Sequence, residues 1–144
     1  MLKVAEWQLK NPNHELNDWT NGAFYAGIFA AFETTKSKEL LNALTNLGEK
    51  TDWKPGKRFD HADDIVIAQT YIDFYGLKKD QKMIQPTIET IKRLQTEKSV
   101  EAEKHGITWW WCDALFMAPP TLAKLPKTTG DNSLASSEIV KINP

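Results

Sequence analysis

Two short segments of the sequence carry carboxylates in surroundings that suit acid–base chemistry. Asp113 lies within the apolar run WWWCDALFM at positions 109–117, at the predicted start of a buried helix. Because desolvation disfavours the charged form of a carboxyl group, its pKa should rise, which suits a proton donor near neutral pH. The simpler alternative is that Asp113 only caps the helix.

The second segment is the acidic cluster FDHADD at positions 59–64, which also precedes a predicted buried helix. Asp63 and Asp64 could cap that helix and favour its positive end. Capping accounts for one carboxylate more naturally than for three with Asp60, so a functional role stays open. Two carboxylates at the starts of neighbouring helices, with aromatic rings beside them, match in outline the carboxyl pair of glycosidases.

Metal chemistry is not expected from the residue types and spacings. His14, His61 and His105 form no HxH or HExxH pattern, and a metal site needs three or four matched ligands. The single cysteine, Cys112, excludes an internal disulfide and a cysteine-built zinc site.

Composition favours one globular domain and argues against several partners. The 144 residues are 41% apolar and 26% charged, with a net charge of -1 from 18 basic and 19 acidic residues. No basic face follows from that balance, so we expect no nucleic-acid partner. No apolar stretch is long enough to span a membrane, and the N-terminus lacks an apolar signal core. The expected compartment is the cytoplasm for the sequence as given, or the periplasm or exterior if a signal peptide was removed.

The apolar pattern predicts buried helices that alternate with amphipathic ones. Helices apolar nearly all round are predicted to begin near residues 21, 63 and 111, and such helices should be buried on all sides. The predicted helices cover about 2–10, about 21–34 after a Thr20 cap, Ser37 to Gly48, 63 to Gly76, a segment after Asp80 with Pro86 in its early turns, and 111 onward with an interruption at Pro119-Pro120.

A buried-then-exposed alternation every 40-odd residues is what two concentric layers of helices require. No repeat at the level of individual residues relates the three units, which favours a closed toroid over a solenoid. We therefore expect an all-α fold, with a toroid domain over residues 1–130. Residues 131–144 should form a tail that is frayed or holds one short helix from about Asn132.

The segment WWWCDALFMAPP resembles the W-x-D-x-L-[FY]-M-x-x-P signature of the unsaturated rhamnogalacturonyl hydrolases (glycoside hydrolase family 105, related to family 88). The similarity extends back through NGAFYAGIFAAFETT and HADDIVIAQTYIDFY, so it covers about residues 1–130. It implies an (α/α)6 toroid of which this chain supplies about three helical hairpins out of six. It also implies hydration of the C4=C5 double bond of a terminal unsaturated uronic acid, with an oligosaccharide substrate and no metal or cofactor.

The resemblance also implies roles for individual residues. Asp113 would protonate the double bond and activate the attacking water, and Asp63 would be the second catalytic aspartate, with a one-position ambiguity left by Asp64. Expected substrate-binding residues are Trp111, Asn21, Asp64 and His61.

If the chain supplies only about three of six hairpins, two alternatives to an active enzyme stay open. The chain ends where family members continue for roughly as long again, so it could be a truncated, inactive remnant with at most weak glycan binding. It could also be a helical scaffold for protein partners, with an exposed groove and an ordinary Asp113 carboxyl. Because cutting a toroid exposes the sides of inner helices, we expect self-association through that edge.

Overall fold

The computed structural model of the chain describes residues 2–135 as helices joined by short connections. Over this part of the chain no β-strand is present, in agreement with the predicted all-α class. None of the helices in this range is long and apolar enough to cross a membrane. The elements are α1 (Leu2–Lys10), α2 (Trp19–Thr35), α3 (Lys38–Thr51), α4 (Ala62–Ile65), α5 (Ala68–Lys78), α6 (Gln85–Thr96), α7 (Val100–His105), α8 (Ala114–Met117) and α9 (Pro119–Thr129), with 3₁₀ turns at Gln81–Met83 and Asn132–Leu134. The predicted tail beyond residue 135 lies outside the described residues.

The helices form two layers. In the inner layer α5 packs between α2 and α9, while the short helices α4 and α8 precede α5 and α9 and pack against each other. In the outer layer α3 buries the stripe Leu40, Leu44 and Leu47, and α6 buries a matching stripe that includes Ile88 and Ile91. The alternation of buried and amphipathic helices is thus confirmed, and the described residues form part of an (α/α)6 toroid.

The starts of α2 and α3 are set by side-chain caps. Ser37 caps α3 as predicted, since its hydroxyl accepts from the Leu40 N–H at 3.4 Å. At α2 the predicted cap is wrong by two positions. Asp18 rather than Thr20 caps the helix, because the Asp18 carboxylate accepts from the Thr20 backbone N–H at 2.9 Å and from its hydroxyl at 2.6 Å.

The predicted ends of two helices at glycine are wrong. Gly48 and Gly76 lie inside α3 and α5, which continue for a few more residues. Each helix ends instead at a residue in the left-handed conformation, Asp52 with φ 51° and Lys79 with φ 57°. Helices commonly end at a residue in the left-handed conformation, most often glycine, but in α3 and α5 this residue is not glycine.

Two of the three inner segments are divided into a short helix and a longer one, whereas α2 is continuous. The single helix predicted from residue 63 is divided into α4 and α5, which the apolar pattern did not indicate. The interruption predicted at Pro119-Pro120 falls one residue earlier, at Ala118, because Pro119 opens α9 and has no N–H to continue the α8 ladder. The short helix α7 was also not predicted.

A large aromatic contact explains why a glycine stands inside α3. Trp53 is buried at 5% exposure, and its ring stacks on Phe74 with 5.5 Å between centroids. The same ring contacts Tyr71 edge-on and lies directly over Gly48. A side chain at Gly48 would occupy the space of the indole ring. The Trp53 ring therefore packs between the backbone of α3 at Gly48 and the side chain of Phe74 on α5.

This packing predicts opposite effects of alanine at two helical glycines. A Cβ at Gly48 would lie 2.3 Å from the Trp53 ring, whereas a Cβ at Gly27 in α2 meets nothing within 4 Å. Gly48→Ala should lower the free energy of unfolding by about 1–3 kcal/mol through overpacking. Gly27→Ala should raise it by about 0.5–1 kcal/mol through helix propensity. Urea unfolding of both variants measures the two signs, and stabilisation by Gly48→Ala would contradict the described contact.

Candidate active site

The site is built where α4 and α8 pack together at the entrance to the inner layer. The buried Gln69 of α5 fixes α8 in place, because its side-chain amide donates to the carbonyls of Phe116 at 2.8 Å and Met117 at 3.0 Å. These carbonyls lie at the end of α8, where helical partners run out. Gln69 therefore holds the short helix that begins directly after Asp113.

Asp64 is engaged in a local ion pair at the start of α4. Its carboxylate accepts from the Arg58 backbone N–H at 2.8 Å and pairs with the Arg58 guanidinium, with 3.0 Å to Nε. Gly56 lies so close to this carboxylate that a Cβ there would come within 2.5 Å of it, and the Gly56 N–H donates to the Asp64 carbonyl. The Asp64 side chain thus anchors the loop that precedes α4.

Asp63 has a different environment, although it is the next residue in the chain. Its side chain is 23% exposed, and its Oδ1 atom is buried without a hydrogen-bond partner among the described residues. Its Oδ2 atom lies 3.7 Å from His61 Nδ1, which is also buried without a hydrogen bond. Two enclosed polar atoms that face a cleft without partners are the kind of exception that a functional site can explain.

Burial raises the pKa of the Asp63 carboxyl above its usual value. The positive charges of His61 and Arg58 act against this shift, while the negative charges of Asp113 and Asp64 add to it. Desolvation and like-charge repulsion both favour the protonated acid. The two predicted catalytic carboxylates stand at the starts of α4 and α8, which pack against each other.

Asp113 itself is exposed, so the expectation that apolar neighbours enclose its carboxyl is wrong. The residue stands at the cap position of α8, yet its side chain makes no capping hydrogen bond. The apolar residues that follow it do not surround it, because Leu115 and Phe116 point outward and are 75% and 50% exposed. Its carboxyl group is therefore open to water at the mouth of the site.

The three consecutive tryptophans have three different environments. Trp109 is partly buried and donates its indole N–H to the Asp60 carbonyl at 2.9 Å. Trp111 is half-buried and lies against the His61 imidazole, with 4.6 Å between ring centroids. Trp110 is 53% exposed and meets Trp111 edge-on at 5.7 Å. The structure thus brings Trp111 and His61 together beside Asp63, as a shared substrate-binding role would require.

Asp60, the third member of the acidic cluster, is a structural residue. It is buried, and its carboxylate accepts from the Ser99 hydroxyl at 2.9 Å and from the Glu101 N–H at 3.3 Å. These bonds secure the start of α7 to the loop before α4. Because α7 buries none of its own residues, these bonds to Asp60 are important for holding the start of this helix near the site.

Asn21 is set apart from the two carboxylates. Its buried side-chain amide donates to the backbone carbonyls of His14 at 3.2 Å and Glu15 at 2.8 Å, which holds the loop before α2. The two grooves that it lines run beside α1 and include Gln8 and Phe24 rather than Asp63. Asn21 shapes the loop that forms one wall of the site.

That loop and α4 enclose a polar cleft of about 570 Å³. Asp63 lines the cleft together with His14, Trp19 and Arg58, and Trp19 is 44% exposed. No sequence pattern predicted that Trp19 and Arg58 share a cleft with Asp63, because the folded loops bring these residues together. Among the described residues, no group of three or more His, Cys, Asp or Glu side chains is arranged to hold a metal ion.

Comparisons with known proteins place this geometry in a family. Two curated relatives are both named unsaturated 3S-rhamnoglycuronyl hydrolase. The protein from Formosa agariphila is 35% identical over 140 residues, and the match covers 90% of this chain and 37% of the relative. The protein from an Alteromonas species is 29% identical over 130 residues, which covers 78% of this chain and 32% of the relative. The chain thus spans about a third of the length of these relatives.

A solved polysaccharide lyase has a similar fold, with a TM-score of 0.74 and 25% sequence identity over 91% of this chain and 40% of the lyase. The model of glycosyl hydrolase family 88 matches residues 1–142. With a match over almost its whole length, and with the paired aspartates of α4 and α8 at the mouth of its inner helices, this chain belongs to glycosyl hydrolase family 88.

Proposed function

We propose that this chain carries the acid–base site of a hydrolase that hydrates the C4=C5 double bond of a terminal unsaturated uronic acid. The observation that carries the proposal is the placement of Asp63 and Asp113 at the starts of α4 and α8, two helices that pack against each other. Membership of family 88 supports a glycosidase, and the hydration chemistry follows the resemblance of the WWWCDALFMAPP segment.

The reaction needs one proton donor and one water. The double bond forms an enol ether with the ring oxygen, so a proton from the Asp113 carboxyl adds to C4 and positive charge develops at C5. Water adds its oxygen to C5, and its spare proton returns to the Asp113 carboxylate, which restores the acid. The hydrated sugar then opens and releases the linked sugar. The same carboxyl serves as acid and base, as general acid–base catalysis allows.

The two aspartates differ in a way that suits these steps. The exposed Asp113 has access to water, whereas the enclosed Asp63 favours its protonated form because of burial and the neighbouring charge. A protonated Asp63 would offer a hydrogen bond to the substrate, while Asp113 transfers the proton. Trp111 and His61 would form the wall against which the uronyl ring rests.

The proposed substrate is an oligosaccharide that ends in an unsaturated uronyl residue joined to rhamnose. The names of both relatives indicate a rhamnoglycuronyl substrate, and 3S points to sulfated rhamnose as a form to test beside unsulfated rhamnogalacturonan fragments. The alternative is an inactive chain that retains only the packing of this site. The exposure of Asp113 is the observation that supports this alternative.

The activity test follows loss of the ultraviolet absorbance of the C4=C5 double bond in an unsaturated rhamnoglycuronyl disaccharide. Asp113→Asn should lower the rate by about 10²–10⁴, because an amide cannot transfer the proton, whereas Asp63→Asn, which keeps a hydrogen-bond donor, should lower it less. Asp52→Asn is the matched control, since the Asp52 side chain is 75% exposed in the turn after α3. No turnover by the folded wild-type chain would support the inactive alternative.

Asp63 and Asp64 should also differ in how they affect stability with pH. Burial raises the pKa of Asp63 in the folded chain. At pH values above that pKa, ionisation of Asp63 therefore lowers the free energy of unfolding. This cost is absent at pH values below the unfolded pKa of about 3.9. Asp63→Asn should therefore raise the free energy of unfolding at pH 7, by an amount that shrinks as the pH falls toward 4.

Asp64→Asn is the neighbouring control. It should lower the free energy of unfolding at pH 7 by about 1–3 kcal/mol, because Arg58 loses a charged partner that is only 14% exposed. Denaturant unfolding between pH 4 and 8 measures both variants. A gain for Asp63→Asn that does not change with pH would contradict the assigned cost of ionisation.

We further propose that a second copy of the chain covers the exposed side of α8. Leu115 and Phe116 are 75% and 50% exposed on an inner element, where a further helical hairpin would lie in a complete ring. Leu115→Glu should shift the chain from dimer toward monomer in sedimentation velocity, because it places a charge in an apolar contact. Leu77→Glu, at a position 48% exposed at the end of α5, is the matched control. A wild-type chain that stays monomeric at high concentration would refute this interface.

A further inference from the structure

Trp110 is an exposed aromatic ring that is fixed in place by polar neighbours. Its indole N–H donates to the Glu101 carboxylate at 3.3 Å. The His105 imidazole lies against the ring with 4.5 Å between centroids and 34° between planes. Glu101 and His105 also lie 3.8 Å apart, one helical turn from each other on α7. The Trp110 side chain is therefore oriented by two contacts from α7, although about half of its surface faces solvent.

These contacts leave one broad surface of the ring open. His105 covers part of one face, and Trp111 meets the ring edge-on at 5.7 Å. Since Trp110 is nevertheless 53% exposed, its remaining exposure lies on the side away from His105. A fixed ring loses little side-chain entropy when a ligand packs on it, which lowers the cost of binding.

The ring stands at the outer end of a row of aromatic groups that starts at the candidate site. Asp63 lies beside His61, His61 beside Trp111, and Trp111 beside Trp110. The open ring is thus two ring contacts away from the imidazole that neighbours the catalytic pair. The row thus connects Asp63 to an open aromatic face through adjacent ring contacts.

We propose that Trp110 is a stacking platform for the sugar linked to the unsaturated uronyl residue. The inference rests on and deepens the proposed function, since it assigns a further subsite, at the outer end of the aromatic row, to a pyranose face. The C–H bonds on one face of a pyranose carry partial positive charge, which is attracted to the negative face of the indole ring. Glu101 and His105 at the rim offer hydrogen-bond partners for sugar hydroxyl groups.

The first test measures binding without chemistry. A saturated oligosaccharide of alternating rhamnose and glucuronate has no C4=C5 double bond and cannot be hydrated, so calorimetry reports binding alone. Trp110→Ala should weaken binding about tenfold through loss of the stacking surface. Trp110→Tyr should restore most of it, because a smaller aromatic face remains.

Trp7→Ala is the matched control, because Trp7 is 62% exposed on α1 and lies outside the aromatic row. It should bind the saturated oligosaccharide as the wild type does. Equal binding by wild type and Trp110→Ala would overturn the platform. So would an equal loss in Trp7→Ala, or no binding by the wild type at all.

The second test separates the platform from the catalytic proposal. Trp110→Ala should raise KM for an unsaturated oligosaccharide while kcat changes less than threefold. Its rate on the methyl glycoside of the unsaturated uronic acid should equal the wild-type rate, because no linked sugar reaches Trp110. If the chain binds the saturated probe through Trp110 but hydrates nothing, the proposed activity fails and the platform stands. If both wild type and Trp110→Ala hydrate the two substrates, and the KM for the oligosaccharide is the same in both proteins, only the platform fails.

Discussion

The structure depends on one constraint, which is that a helix buried on all sides must satisfy the backbone groups at its ends without help from bulk water. In the inner layer this is solved at the breaks between α4 and α5 and between α8 and α9. The buried Gln69 amide occupies the carbonyls of Phe116 and Met117, which would otherwise be left over at the break between α8 and α9. The loop before α4 is secured in turn by Asp64 and Arg58. The ends of the inner helices are therefore rigid and polar, and they lie side by side.

The candidate site follows from this arrangement. Helix starts that are fixed for structural reasons hold carboxylates at defined positions, and two adjacent starts place Asp63 near Asp113. Only one aspartate of α4 is used for structure. Asp64 has its full set of partners, whereas the Oδ1 atom of Asp63 is enclosed without a hydrogen bond, at a cost in stability. A residue that breaks a local rule in this way is where function is expected to lie.

The sequence predicted those features that depend on local pattern. The stripe Leu40, Leu44 and Leu47 identified an outer helix, and Ser37 was recognised as its cap, because helical periodicity and capping are properties of neighbouring residues. Gly48 was misread as a helix stop. Its actual role is to admit the ring of Trp53, a contact with a side chain that returns from the following turn, and no local pattern indicates it.

The candidate site was predictable in its members more than in their environments. The motif around Asp113 and the cluster around Asp63 lie on α8 and α4, which the fold packs together. The expected enclosure of Asp113 failed because apolar neighbours in sequence need not be neighbours in space, and the side chains that follow it point away. The pairing of Arg58 with Asp64, and the cleft shared by Trp19 and Asp63, arise from loop geometry that periodicity does not encode.

Exposed apolar side chains on this chain fall into two kinds, and their neighbours distinguish them. Leu115 and Phe116 lie on a short inner helix, and their side chains have no polar groups. Because these side chains form no hydrogen bonds with water, their burial against another protein surface is favourable. Trp110 is held by a carboxylate and an imidazole, which need water or a polar ligand nearby. A protein partner that covered Trp110 would have to satisfy those groups as well, whereas a sugar brings hydroxyl groups to them and a C–H face to the ring. The same helix mouth thus presents one surface suited to another chain and, beside the catalytic pair, one suited to a carbohydrate.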